Sequence, residues 1–176
     1  MNELTNEYNR LMSMKKISSH EKDKFSKLCL VQLNEINKNI GSLISMFNSL
    51  INELIDLILR EFPQMSDIKK YSKSIKKSIE NRPLEPLSMF LMNIYKNDEY
   101  RINILAENDD FFVKSDFKDF DSEKLKLLFQ WKSNWNDLSD PNKKYIKGVM
   151  STLVNICDMY IENKDDGNKI SSYLEL

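Results

Sequence analysis

Five lysines within residues 69–77 form the pattern whose chemistry is easiest to name. On a helix they gather on one side, and an apolar set gathers opposite. The basic set is Lys69, Lys70, Lys73, Lys76 and Lys77, and the apolar set is Ile68, Tyr71, Ile75 and Ile79. Such a face can bind the phosphates of nucleic acid or lipid head groups. It is also typical of a solvated helix surface, and no aromatic residue interleaves the lysines to stack bases. We interpret it as solvated surface, with phosphate binding as the alternative.

Acidic and aromatic residues mix over residues 107–123 without the spacing of a calcium loop. An EF-hand loop needs carboxylates at alternate positions, a glycine for its sharp turn and a terminal glutamate. The glycine is missing and the spacing fails. We therefore expect a loop whose phenylalanines pack under neighbouring helices. These are Phe111, Phe112, Phe117 and Phe120.

The remaining reactive residues do not combine into a catalytic or metal site. His20, the single histidine, lies in a polar stretch, and the three glycines stand alone, so no phosphate-binding loop is formed. Cys29 and Cys157 lie in apolar helical patterns without metal spacing, as buried cysteines do in a reducing compartment. The sequence predicts no enzymatic activity, no cofactor and no metal.

Both tryptophans lie in the stretch "FQWKSNWNDLSD", four residues apart. A helix from Ser122 to about Asp137 would place them on one stripe with Leu128 and Leu138. Tryptophans that share a stripe with leucines are typical of core rather than of a ligand cage. We predict that Trp131 and Trp135 are core residues.

The elements that carry these residues are predicted to be helices throughout. The chain has 176 residues with only 3 Gly and 4 Pro, too few for the turns of a sheet-rich fold. Its net charge of −1 gives no global electrostatic case for binding nucleic acid or an anionic membrane. The sequence predicts an all-α, single-domain helical bundle.

One long amphipathic helix over about residues 21–60 is expected at the centre of that bundle. Its apolar stripe occupies three heptad positions, which is wider than a two-stranded coiled-coil seam. We expect this stripe to be covered within one chain, so a monomer is favoured over a coiled-coil homodimer. Asn48, Asn52, Glu53 and Asp56 argue against a membrane span over residues 40–59.

The other helices follow from turn and capping signals. We expect a helix capped by Ser66 or Asp67, one from Pro86, one capped by Asp98 that runs to about Leu105, and one capped by Asp140 that runs to about 162. The expected domain organisation is a polar N-terminal segment (1–20), a helical bundle (21–162) and a loose C-terminal tail (163–176). Gly148, within the last helix, has no evident role.

Three consecutive stretches within residues 81–162 carry a family resemblance. In the first, "PLEPLSMFLMNIYKNDEYRINILAENDDFF", a proline-bounded helix precedes a Phe-Phe pair (Phe111 and Phe112). The second is a tryptophan-bearing helix, "EKLKLLFQWKSNWNDLS", and the third is the final helix, "DPNKKYIKGVMSTLVNICDMY". This order resembles uncharacterised small helical proteins of nucleocytoplasmic large DNA viruses, the giant viruses and their relatives. The chain departs from that group at Gly148, near a position where the group has an aromatic residue. The resemblance implies a viral origin and no particular activity.

The function we predict is non-enzymatic protein–protein interaction, in virion assembly or in the cytoplasmic replication factory of the infected host. The partner would be a viral or host protein, and no small-molecule substrate is evident. One alternative is a nucleic-acid or anionic-membrane binder that uses the Lys69–Lys77 face. A second is a Bcl-2-like viral regulator of host signalling, which suits the size of the chain but lacks a recognisable groove motif.

Overall fold

The computed structural model describes residues 2–114 and 130–175, apart from the side chains at 2, 67, 114 and 130–133. All regular structure in this part is helical and no strand occurs in it, which confirms the predicted all-α class. The helices are α1 (Asn2–Met12), α2 (Ser19–Glu61), α3 (Ser66–Asn81), α4 (Glu85–Phe90), α5 (Asp98–Leu105), α6 (Asp109–Lys114) and α7 (Asp140–Tyr173). A π-helical turn (Leu91–Tyr95) continues α4, and a 3₁₀ helix (Gln130–Asp137) precedes α7.

The chain forms two compact units. The first unit consists of Met1–Leu43 and Met159–Leu176, and the second consists of Ile44–Asp158. Helices α2 and α7 therefore each contribute residues to both units. The domain boundaries expected at residues 20 and 162 do not coincide with this division.

The core of the first unit joins α1, the first part of α2 and the last part of α7. Its buried members are Leu11, Phe25, Cys29, Ile36, Ile170 and Tyr173. The Tyr8 and Tyr173 rings stack with centroids 4.3 Å apart. The expected loose tail is wrong in this respect, because residues 163–173 continue α7 and supply two core side chains. Their packing partners lie at the other end of the sequence, where local periodicity cannot reveal them.

Helix α2 begins at Ser19 because a capping box precedes it. The Ser18 hydroxyl accepts a hydrogen bond from the Glu21 backbone N–H (3.2 Å), and the Glu21 carboxylate accepts one from the Ser18 N–H (3.1 Å). These reciprocal bonds satisfy donors that a helix start otherwise leaves unpaired. The helix therefore starts two residues before the predicted position.

The core of the second unit uses the rest of the α2 stripe. Phe47, Ile51, Leu54, Ile55 and Ile58 are buried. Among the described helices α2 alone is long and apolar enough to cross a membrane, and 44% of its apolar window is buried inside the protein. Somewhat less than half of this window therefore contributes to the core of the protein.

Two of the four phenylalanines predicted to pack are buried, although they lie on a helix and not in a loop. Phe111 and Phe112 lie on the short helix α6 and are buried. The Phe112 ring stacks on Trp135, with centroids 5.1 Å apart and an interplanar angle of 13°. The burial of Trp135 confirms its predicted place in the core. The side chain of Trp131 and residues 115–129, including Phe117, Phe120, Ser122 and Leu128, lie outside the described part.

The caps of α5 and α7 each differ from the predicted residue by one position. The Asn97 side chain caps α5 by accepting a hydrogen bond from the Tyr100 N–H (3.2 Å). The Ser139 hydroxyl accepts one from the Asn142 N–H (3.4 Å), so α7 begins with Asp140 as its first residue. In both cases two adjacent residues can cap, and the earlier one does.

Candidate functional site

A cleft of about 790 Å³ lies between α1 and α2 in the first unit. The apolar part of its lining consists of Leu4, Phe25, Leu28 and Val31. Steps of three residues along a helix turn the side chain back by about 60° each time. The side chains therefore become more exposed from Phe25 (3%) to Leu28 (48%) and Val31 (62%). The result is an apolar strip that begins in the core and continues to the surface.

Charged side chains surround this strip. Arg10 donates to Glu7 through Nη2 (2.8 Å) and Nε (2.9 Å), and its Nη2 lies 3.8 Å from Glu21 Oε1. The hydrogen bond from Arg10 lowers the pKa of Glu7 below its ordinary value. The hydrogen bond from the Ser18 hydroxyl does the same for the pKa of Glu21. Both carboxylates are therefore ionised at neutral pH, and Arg10 lies between them.

The cleft has the anatomy of a protein-binding groove. Such grooves combine an apolar centre with a polar rim, and an amphipathic helix laid in one inserts side chains spaced at i, i+3, i+4 and i+7. From His20 to Gln32 the lining extends along α2 for about 18 Å, which is the length of three helical turns. A helix of about twelve residues therefore matches the cleft in length.

The lining does not resemble a catalytic or metal centre. His20 is exposed, and its neighbours in the cleft include carboxylates already bonded to Arg10 and Ser18. Within residues 2–114 and 130–175 no group of three His, Cys, Asp or Glu side chains could hold a metal ion. The cleft was not predicted, because the N-terminal 20 residues show only weak periodicity.

The second candidate surface is the predicted lysine face, which lies on α3 in the second unit. Lys69, Lys70, Lys73 and Lys77 are exposed together on one side of the helix. The fifth, Lys76, donates to Asp56 of α2 (2.6 Å) in a surface ion pair whose side chains are 40% and 63% exposed. Within the described residues, the other four predicted lysines form no ion pair. We refer to these four residues as the basic face.

The turn after α3 adds two residues that the helical pattern did not include. Arg82 is exposed, and Leu84 is 42% exposed. Glu80 of this helix is exposed, while Glu85 accepts a hydrogen bond from the Ser78 hydroxyl. Arg82 and Leu84 both lie after the end of α3, so the helical pattern of residues 66–80 could not predict that they extend the lysine face.

A polar cluster at the π-helical turn joins residues far apart in sequence. The Tyr95 hydroxyl donates to Asp158, and this bond raises the pKa of Tyr95 to about 12. Arg101 donates to the Tyr95 carbonyl (3.0 Å) and to Asp98 (2.6 Å). Burial raises the pKa of the neighbouring Cys157 thiol to about 12, so the thiol is unreactive at neutral pH. These groups satisfy one another, which indicates a structural tie between the turn and α7.

Comparison with known proteins leaves the function to be argued from these surfaces. No protein-family model, no curated protein and no solved structure matches the chain.

Proposed function

We propose that the protein is not an enzyme and acts by binding another protein, an amphipathic helix of which lies in the α1–α2 cleft. The observation that carries this proposal is the exposure of Leu28 and Val31 within a concave, charge-rimmed surface. Single exposed apolar residues are ordinary on protein surfaces. Neighbouring ones that line a cleft of this size are typical of a binding site.

The charge of the rim defines the partner further. Three carboxylates line the cleft (Glu3, Glu7 and Glu21), against two cations (Arg10 and Lys24). A partner helix with basic side chains beside its apolar anchors complements this rim. Rim charges chiefly affect the association rate, so binding should slow as salt increases while the apolar contact holds the complex.

The setting of this interaction is proposed from the sequence. The resemblance of residues 81–162 to giant-virus proteins supports a viral origin. The corresponding setting is virion assembly or the replication factory in the host cytoplasm, with a viral or host protein as the partner.

We propose a monomer, because the α2 stripe that could have formed a coiled-coil seam supplies buried residues to both units. Ile36 is buried in the first unit, and Leu54 and Ile58 are buried in the second. Sedimentation should give the mass of one chain across the accessible concentration range. A mass that rises to two chains with concentration would contradict the proposal.

The direct test places a photo-crosslinking amino acid at Val31 of the full chain, in cells that contain the partner. The matched control places it at Ile102, because the two residues are 62% and 63% exposed. We expect one discrete adduct from Val31 that is absent from the Ile102 variant. Mass spectrometry should locate the cross-link on a segment with helical apolar periodicity and flanking basic residues.

Two outcomes would contradict the proposal. The first is the absence of any adduct from Val31. The second is the same set of adducts from Val31 and Ile102, because that would show general stickiness rather than a site.

A further inference from the structure

The basic face of α3 lies in a positively charged segment of the chain. Residues 66–84 contain six basic and two acidic side chains, a net charge of +4. The whole chain carries −1, so the remaining residues together carry −5. Such an asymmetry turns a protein so that its basic region meets an anionic surface first.

The fold holds this face outward. Ile68 and Ser72, on the opposite side of α3, are buried, and the Lys76–Asp56 ion pair lies at the edge of the face. Lys69 and Lys77 are eight residues apart, or about 12 Å along the helix axis. The basic face is therefore a short, straight array of four exposed ammonium groups, with the exposed Glu80 on the same side and Arg82 beyond the helix end.

The shape and composition of the array favour a flat anionic surface over a nucleic acid. Tyr71 offers little ring surface for stacking bases, since it is half-buried and the Lys70 Nζ lies over its ring, 5.8 Å from the centroid. Lysines on one side of a straight helix can all reach one plane. Leu84, 42% exposed beside Arg82, adds an apolar side chain that can enter the head-group layer.

We infer that the basic face, with Arg82 and Leu84, binds the surface of an anionic lipid membrane. This interaction is independent of the helix-binding cleft, because its residues lie on α3 and the following turn while the cleft lies between α1 and α2. It would bring the protein and its bound partner to a membrane. Each lysine near such a surface contributes about a fivefold increase in partitioning.

The experiment measures co-sedimentation of the full chain with phosphatidylcholine vesicles that do or do not contain phosphatidylserine. The Lys69→Gln/Lys70→Gln variant should partition about 25-fold more weakly onto the anionic vesicles. The matched control is Lys15→Gln/Lys16→Gln, which removes two adjacent, exposed lysines outside α3. Circular dichroism should show that both variants keep the helical content of the parent.

The parent should bind only the vesicles that contain phosphatidylserine, and this binding should weaken as salt is added. It should be reduced in the Lys69→Gln/Lys70→Gln variant and nearly unchanged in the Lys15→Gln/Lys16→Gln control. A Leu84→Gln variant should bind more weakly without a change in salt dependence. No binding to anionic vesicles, or equal losses in the two lysine variants, would overturn the inference. Tighter binding to a duplex DNA that is lost in the α3 variant would assign the face to nucleic acid and also overturn it. Cross-linking from Val31 tests the cleft alone, so a failure of membrane binding can be told apart from a failure of helix binding.

Discussion

Replacement of Ile170 by alanine tests whether the end of α7 belongs to the core of the first unit. The Ile170 side chain is 0% exposed and packs in one cluster with Leu11 and Phe25. The substitution removes three carbon atoms, each worth about 0.8 kcal/mol of burial, and leaves a cavity that the neighbours fill only in part. We expect a loss of about 2–5 kcal/mol in the free energy of unfolding.

Urea denaturation followed by circular dichroism measures this loss. Ile102→Ala is the matched control, since it deletes the same atoms from a side chain that is 63% exposed. That control should change the free energy of unfolding by no more than about 0.5 kcal/mol. If Ile170→Ala were as mild as Ile102→Ala, the end of α7 would be the loose tail that its composition indicates, and the described core of the first unit would be wrong.

Four further substitutions test other parts of the structure. Trp135→Ala should cost about 3–5 kcal/mol in the same assay, because the ring is buried against Phe112; a cost below about 1 kcal/mol would contradict its place in the core. Ser18→Ala should destabilise α2 by about 1 kcal/mol through loss of the capping box, and an unchanged unfolding midpoint would show that the box is not formed. Gly148→Ala should stabilise α7 by about 1 kcal/mol, since an added Cβ meets nothing within 4 Å; destabilisation would reveal a contact there. The pKa of Tyr95 is raised, so the parent should have a larger free energy of unfolding than Tyr95→Phe below pH 10, and this difference should vanish as the pH rises to about 12. A difference that does not depend on pH would mean that the hydroxyl has no carboxylate partner.

The helices were predictable where one helix carries its own apolar stripe. The stripe of α2 and that of the first part of α7 repeat over many turns, so periodicity alone located both. The end of α2 was equally clear, because Pro63 disfavours helix at the residue before it. The predicted caps and helix starts were off by one or two residues, because adjacent polar residues such as Ser139 and Asp140 can both cap a helix.

Contacts between distant parts of the sequence were not predictable. Ile170 and Tyr173 are two apolar residues in a polar stretch, and only their contact with α1 and α2 makes them core. The lysine face was predictable from the sequence, but the ion pair of Lys76 with Asp56 was not, because Asp56 lies 20 residues earlier. Leu28 and Val31 lie outside the regular apolar spacing of α2, and only the position of α1 shows that they line a cleft.

The central claim is that the α1–α2 cleft holds a partner helix through Leu28 and Val31. The most direct measurement is the affinity of the cross-linked partner segment, as a synthetic peptide, for the parent protein and for Leu28→Asp/Val31→Asp. Two charges in the apolar strip should weaken binding by at least about tenfold, while the exposed control Ile102→Asp should bind like the parent. Equal affinity of the peptide for the parent and for the cleft variant would contradict the claim.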